Sequence, residues 1–208
     1  MCTCTTTTVL AVGSHPDDIE LGCGGALAKH VARGDRVIML VITTGQAGPG
    51  DVTARTREQE EAAAVLGAEL RWGGLPDGSV SAHELQLVHT IESLIRQEGV
   101  DVVYTHGLQD THQDHRAVAL ATLGAARHCK RVLCYDSPSS YHFAPSVFVD
   151  ITDAFDKKVT ALRCHASQVA HSAMASTSLV TTQAGYRGFQ ARVEHAEGFV
   201  PHRVQLDV

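Results

Sequence analysis

The sequence predicts a single α/β domain, doubly wound around a mostly parallel sheet with helices on both faces. Three observations predict it. Short runs of Val, Ile and Leu with almost no polar residue read as strands buried on both sides. Stretches of helical period lie between those runs, so strand and helix alternate. The 208 residues contain no internal repeat, low-complexity tract or linker, which leaves one domain over residues 1–208.

The elements follow in order. Residues 7–13 are the first strand. Residues 18–33 form a helix with Ile19, Leu21, Ala26, Leu27 and Val31 on its apolar side and a stop at Gly34. Gly22, Gly24 and Gly25 lower its helix propensity and make sense if that turn packs closely on a neighbour. Residues 36–43 are a strand, 44–50 a Gly-rich loop, 53–66 a helix ended by Gly67, and 70–72 a short strand. A turn at 75–78 leads to an amphipathic helix over 81–97 with a Ser start and Gly99 as stop. Residues 100–104 are a buried strand, 112–128 a helix, 131–135 a strand, and 147–151 a further strand. One helix is expected over 152–168. Residues 170–187 show no clear period and read as a lid or a disordered stretch. The last segment, 188–199, reads as a helix.

Composition narrows the partners. Hydrophobic residues make up 44% and charged residues 19%, as in folded soluble proteins. The net charge of −6, with no basic run, argues against nucleic acid. The apolar run 37–42 is too short to span a bilayer, and the first residues lack the flank and core of a signal peptide. A cytoplasmic protein is expected. The six cysteines (Cys2, Cys4, Cys23, Cys129, Cys134 and Cys164) form no C-x-x-C pair and read as reduced small hydrophobes. Cys2 and Cys4 offer a weak C-x-C for metal.

Two clusters carry the chemistry. The first strand runs into Ser14-His15-Pro16-Asp17-Asp18, where adjacent carboxylates repel unless something compensates them. The fourth strand precedes His112-Gln113-Asp114-His115. In the order 3-2-1-4-5, strands 1 and 4 are neighbours where the winding reverses, and ligands bind beyond their carboxyl ends. Both clusters then face one crevice. Alone, each motif is common: a pair of histidines on a helix surface, or an Asp-Asp helix cap. Their conjunction at adjacent strand ends is not. Imidazole and carboxylate suit Zn2+, and three protein ligands leave a position for water. A spare carboxylate, Asp17, is then the general base, and a spare imidazole, His112, polarises a carbonyl or holds an oxyanion.

At these residues the chain resembles the LmbE-like, or PIG-L-like, family of zinc-dependent N-deacetylases. The resemblance runs through the Ser14–Asp18 turn and the His112–His115 motif. It extends to Thr44-Gly45-Gln46-Ala47-Gly48, to Arg55 through Gly67, and to Leu75-Pro76-Asp77-Gly78. Phe143-Ala144-Pro145, His165-Ala166-Ser167-Gln168 and His195 to Phe199 also match. It implies His15, Asp18 and His115 as metal ligands, Asp17 as base, His112 as oxyanion stabiliser, and Asp114 as the group tuning His112. Arg55 and Gln46 are implied on the substrate side, where Gln46 replaces a common Glu. Tyr141 and His142, in the loop 137–146, are further candidates for lining the sugar pocket.

The implied reaction is removal of an N-acyl group from an amino sugar or its conjugate, with Zn2+ as cofactor and Fe2+ as the alternative metal. The ligand set alone also fits a two-His, one-carboxylate iron oxygenase, against which the α/β pattern argues. A third reading is a non-catalytic, metal-dependent sugar-binding domain, which requires Asp17 to be tied up in a salt bridge. The stretch Gly22-Cys23-Gly24-Gly25 matches a dinucleotide fingerprint poorly. His165 reads as a packing or hydrogen-bonding residue. The sequence is also compatible with a homo-oligomer.

Overall fold

The computed structural model describes residues 6–48, 51–171 and 176–206. The elements run β1 (Thr8–Gly13), α1 (Asp18–Ala32), β2 (Arg36–Val41), α2 (Val52–Leu66), β3 (Glu69–Trp72), α3 (Glu84–Glu98), β4 (Val102–His106) and α4 (Gln113–Ala125). There follow β5 (Arg131–Tyr135), β6 (Val147–Asp150), α5 (Phe155–Cys164), α6 (Ala166–His171), α7 (Thr177–Ala191) and β7 (Ala196–Val204). The strands pair in the order β3-β2-β1-β4-β5-β7-β6. The first five are parallel, and β7 runs antiparallel to both β5 and β6.

Successive side chains of a strand point to opposite faces, and here both faces are covered. Val9 and Ala11 of β1 pack with Val37, Met39 and Val41 against Ile19, Leu27 and Leu66. Leu10 and Val12 pack with Ile38 and Leu40 against Leu87, Ile91 and Val118. That double burial is why the strands are unbroken apolar runs. The expected close packing at the first helix is present. A Cβ on Gly22 would sit 2.2 Å from the Tyr135 ring, and one on Gly25 would sit 2.8 Å from Ile151. Tyr135 in turn donates its hydroxyl to the Val12 carbonyl at 2.8 Å, tying β5 to β1.

The chain beyond residue 150 departs from expectation. Segment 188–199 is the end of α7 followed by the start of β7, which inserts between β5 and β6. Two strand partners satisfy its backbone, which a short segment containing Gly198 and Pro201 does not advertise. Most of the stretch expected to lack structure is α7. Its buried positions are Val180, Ala184 and Gly188, a period of four carried by small residues rather than by bulky apolar ones. Residues 172–175 lie outside the described ones, as do Cys2 and Cys4. The single helix expected over 152–168 is a 3₁₀ turn, α5 and α6, broken at the buried His165. Cys23, Cys129 and Cys134 are buried free thiols, and Cys164 is half-buried.

Candidate metal centre

The β1–β4 pairing, with Ala11 opposite Tyr104, brings the two motif-bearing ends together. Where β1 ends, the Ser14 N–H donates to His106 Nε2 at the end of β4, 3.1 Å away. The His15 N–H donates to Asp18 Oδ2 at 2.7 Å, which folds the Asp18 carboxylate inward across the turn. Asp17 opens α1 in the left-handed region, at φ 90°, with no side-chain cap. The Asp-Asp pair therefore does not serve as an ordinary helix cap. His112 is the cap of α4: its Nδ1 accepts the Asp114 N–H at 3.3 Å.

Asp18 is the meeting point. Its Oδ2 lies 3.4 Å from His15 Nδ1 and its Oδ1 lies 3.4 Å from His115 Nε2. The other nitrogen of each ring faces a different carboxylate. His15 Nε2 is 2.9 Å from Asp77 Oδ1 and 3.4 Å from Asp114 Oδ2. His115 Nδ1 is 3.0 Å from Asp110 Oδ2. One nitrogen toward a shared centre and one toward a carboxylate is how metal-ligating histidines are oriented. His112 completes the wall, stacked on His115 with ring centroids 4.4 Å apart and 4.7 Å from His15. Donor atoms of His15, His112 and His115 lie within 4.8 Å of one another, as do those of Asp18, His106 and His115.

The electrostatics favour positive charge at this centre. Burial pushes the His15 imidazole down, but hydrogen bonds to Asp114, Asp18 and Asp77 outweigh it and raise it to about 12. Burial likewise opposes charge on His115, yet the Asp18 charge and the Asp110 hydrogen bond raise it to about 9. Against burial, His115 and His106 hold Asp18 well below the usual carboxylate range. Burial and the Asp18 charge push Asp17 up to about 7. His106, fully buried, falls to about 4, first through burial and then through the His115 charge. Protons on two imidazoles thus offset the clustered carboxylates. A divalent cation supplies the same positive charge, and the nitrogen and oxygen donors present suit one.

The other expected site residues fall as follows. Among the described residues no ion pair involves the Asp17 carboxylate. Burial pushes His112 down, while the Asp114 carboxylate makes no hydrogen bond to that ring but favours the protonated imidazole through its charge. That carboxylate accepts from the backbone N–H groups of Gly78, at 2.7 Å, and Val80, at 3.2 Å, and faces His15. It braces His15, because α4 turns the Asp114 side chain toward the 76–80 turn. Arg55 is buried beneath the loop after β2 and donates to the Gly45 carbonyl. The charge of its guanidinium also favours the ionised forms of Asp17 and Asp77. Gly45 has φ 69°, and a Cβ there would strike that guanidinium, so the loop needs glycine. Gln46 is exposed and accepts from the Thr44 hydroxyl at 2.9 Å. Tyr141 and His142 are exposed, edge to face at 5.5 Å.

Sequence reasoning gave no role to Asp77, Asp110 or His106. Asp110 was legible as a carboxylate five residues before His115, and Asp77 as the acid of the Pro76-Asp77-Gly78 turn. His106 gave only the polar end of an apolar strand as a signal.

The chain is similar to several known proteins. The family model for PIG-L, described as GlcNAc-PI de-N-acetylase, matches residues 10–126. An uncharacterised deacetylase of Escherichia coli is 37% identical over 169 residues, 76% of this chain and 90% of that protein. Diacetylchitobiose deacetylase of Thermococcus kodakarensis is 28% identical, covering 93% of this chain and 83% of that protein. A 4-oxalmesaconate hydratase of Pseudomonas putida is 25% identical over 76% of this chain and 73% of its own. A conserved protein of Thermus thermophilus has the same fold, with a TM-score of 0.86, 29% identity and 96% of each chain covered. Among the described residues no helix is long and apolar enough to cross a membrane.

Proposed function

This chain belongs to the PIG-L family, and from that premise we propose that it is a metal-dependent N-deacetylase acting on an N-acylated amino sugar or its conjugate. The observation that carries the reading is the pair of imidazoles, His15 and His115, each turned by its own carboxylates toward Asp18. In this reading His15, Asp18 and His115 hold the cation, with Zn2+ preferred and Fe2+ the alternative. A cation held there lowers the pKa of water and polarises the amide carbonyl.

The remaining work falls to the chain. Asp17, with no ion pair among the described residues, takes a proton from the water that attacks the amide carbon. His112 has Nδ1 occupied by the Asp114 N–H, so its hydrogen sits on Nε2 and is donated to the developing oxyanion. When the C–N bond breaks, the proton held by Asp17 passes to the leaving amine. The products are the free amino sugar and a carboxylate. Asp110, Asp77 and Asp114 keep the rings in place. Tyr141, His142 and Gln46, exposed on nearby loops, are assigned to sugar contacts.

The test is release of acetate from a panel of N-acetylated amino sugars. Chelated protein should release none and regain activity with Zn2+ or Fe2+. Water addition to 4-oxalmesaconate without acetate release from any sugar would replace this reading with that of the hydratase relative. An Asp17 with no ion pair among the described residues and the parallel α/β sheet argue against the sugar-binding and oxygenase alternatives.

A further inference from the structure

Behind Asp17 lies a set of buried polar side chains to which the reaction above assigns no part. Asp17 holds φ 90°, a backbone conformation that residues other than glycine rarely adopt. Its N–H donates to Gln59 Oε1 at 3.2 Å. Gln59 Nε2 donates to Glu20 Oε1 at 2.6 Å, which fixes which end of the amide faces Asp17. The same Glu20 oxygen faces His165 Nε2 at 3.4 Å. Glu20, Gln59 and His165 are each 0% exposed, and they come from α1, α2 and the α5–α6 junction. Helices that contribute polar side chains to a sealed interior bear a desolvation cost that apolar residues would avoid. The break between α5 and α6 falls at His165, where it meets Glu20.

We propose that Gln59, Glu20 and His165 form a positioning relay that holds Asp17 in its left-handed conformation and so fixes the direction of its carboxylate. In an ordinary helical turn Asp17 would lie roughly 100° around the axis from Asp18, whereas the left-handed backbone at Asp17 gives its carboxylate a different direction. The reversed backbone at Asp17 separates a carboxylate that binds from one that accepts a proton. Gln59 supplies the hydrogen bond that stabilises that reversal. Glu20 locks the amide of Gln59, and His165 supplies the partner facing Glu20. The inference rests on the reading of Asp17 as the base.

The test compares metal-loaded parent and Gln59→Met by crystallography, metal analysis and turnover. In the variant, Asp17 should leave the positive-φ region or lose its single carboxylate position, with bound metal unchanged. With an N-acetylated amino sugar that the parent turns over, kcat should fall roughly 10- to 100-fold and KM should stay within about twofold. In an Asp17→Ala background the same substitution should reduce residual turnover no further, because both changes act through one group. Glu20→Gln keeps the side-chain volume, should displace Asp17 less, and decides the matter if Gln59→Met does not fold. Asp17 remaining at φ 90° with its carboxylate unmoved in these variants overturns the relay. So does a loss of turnover that adds fully to that of Asp17→Ala. A displaced Asp17 in a protein whose parent releases no acetate leaves the relay standing and removes the deacetylase reading.

Discussion

Among the regions of this molecule that bury charge, two do so in opposite ways. Lys158 and Glu197 pair at 2.5 Å in the interior. Lys158 also donates to the Leu21 carbonyl at 2.7 Å, and Glu197 accepts the N–H groups of Gly25 and Ala26 at 2.9 and 2.7 Å. One positive and one negative group are matched, and backbone groups take up the remaining bonding capacity. At the crevice, Asp18, Asp77, Asp110 and Asp114 face His15, His106 and His115. That set is balanced only when imidazoles take up protons. The comparison teaches that buried charge by itself marks structure. An excess of one sign, beside rings that each turn one nitrogen to a common point, marks a place for a ligand.

Substitutions sharpen the contrast, and the largest effect is expected at His115. His115→Ala should lose both bound metal and turnover, the latter by about a thousandfold or more; metal analysis and an acetate assay on the same sample check it. Asp17→Ala should keep its metal while kcat falls by roughly 10² to 10⁴. A variant nearly as active as the parent would remove Asp17 from the role of base. Asp110→Ala keeps every assigned ligand but removes the carboxylate from the far nitrogen of His115, leaving the Ser139 hydroxyl at 3.3 Å. Metal affinity should then drop about 10- to 100-fold, read by competition with a chelator. The smallest effect on chemistry belongs to Lys158→Met. Urea unfolding should show a loss of about 3–5 kcal/mol, because Glu197 is left buried without its partner. Turnover per folded, metal-loaded molecule should stay that of the parent. If Lys158→Met instead depleted metal, the division between a structural and a functional charge cluster would fail.

Legibility in the sequence followed the same division. Strands β1, β2, β4 and β5 were readable because burial on both faces leaves an unbroken apolar run. The motif ends could be placed together because the order 3-2-1-4-5 constrains which strands are neighbours. α7 was not readable, because its inward positions are Ala184 and Gly188 rather than Leu or Ile. β7 was not readable either, since a strand that gains both edges from β5 and β6 needs no local signature of its own.

The sequence by itself determined the α/β class, the positions of the parallel strands along the chain and the two segments bearing His15, Asp17, Asp18, His112 and His115. These follow from periodicity and residue type, which act over a few neighbouring positions. Only the tertiary structure decided that Asp77, Asp114 and Asp110 brace the two imidazoles, that Asp114 faces His15 as well as acting on His112, and that Arg55 lies under its loop. Such contacts join residues far apart in the chain. Their geometry is set by how helices pack on a twisted sheet, and no local pattern of residues records it.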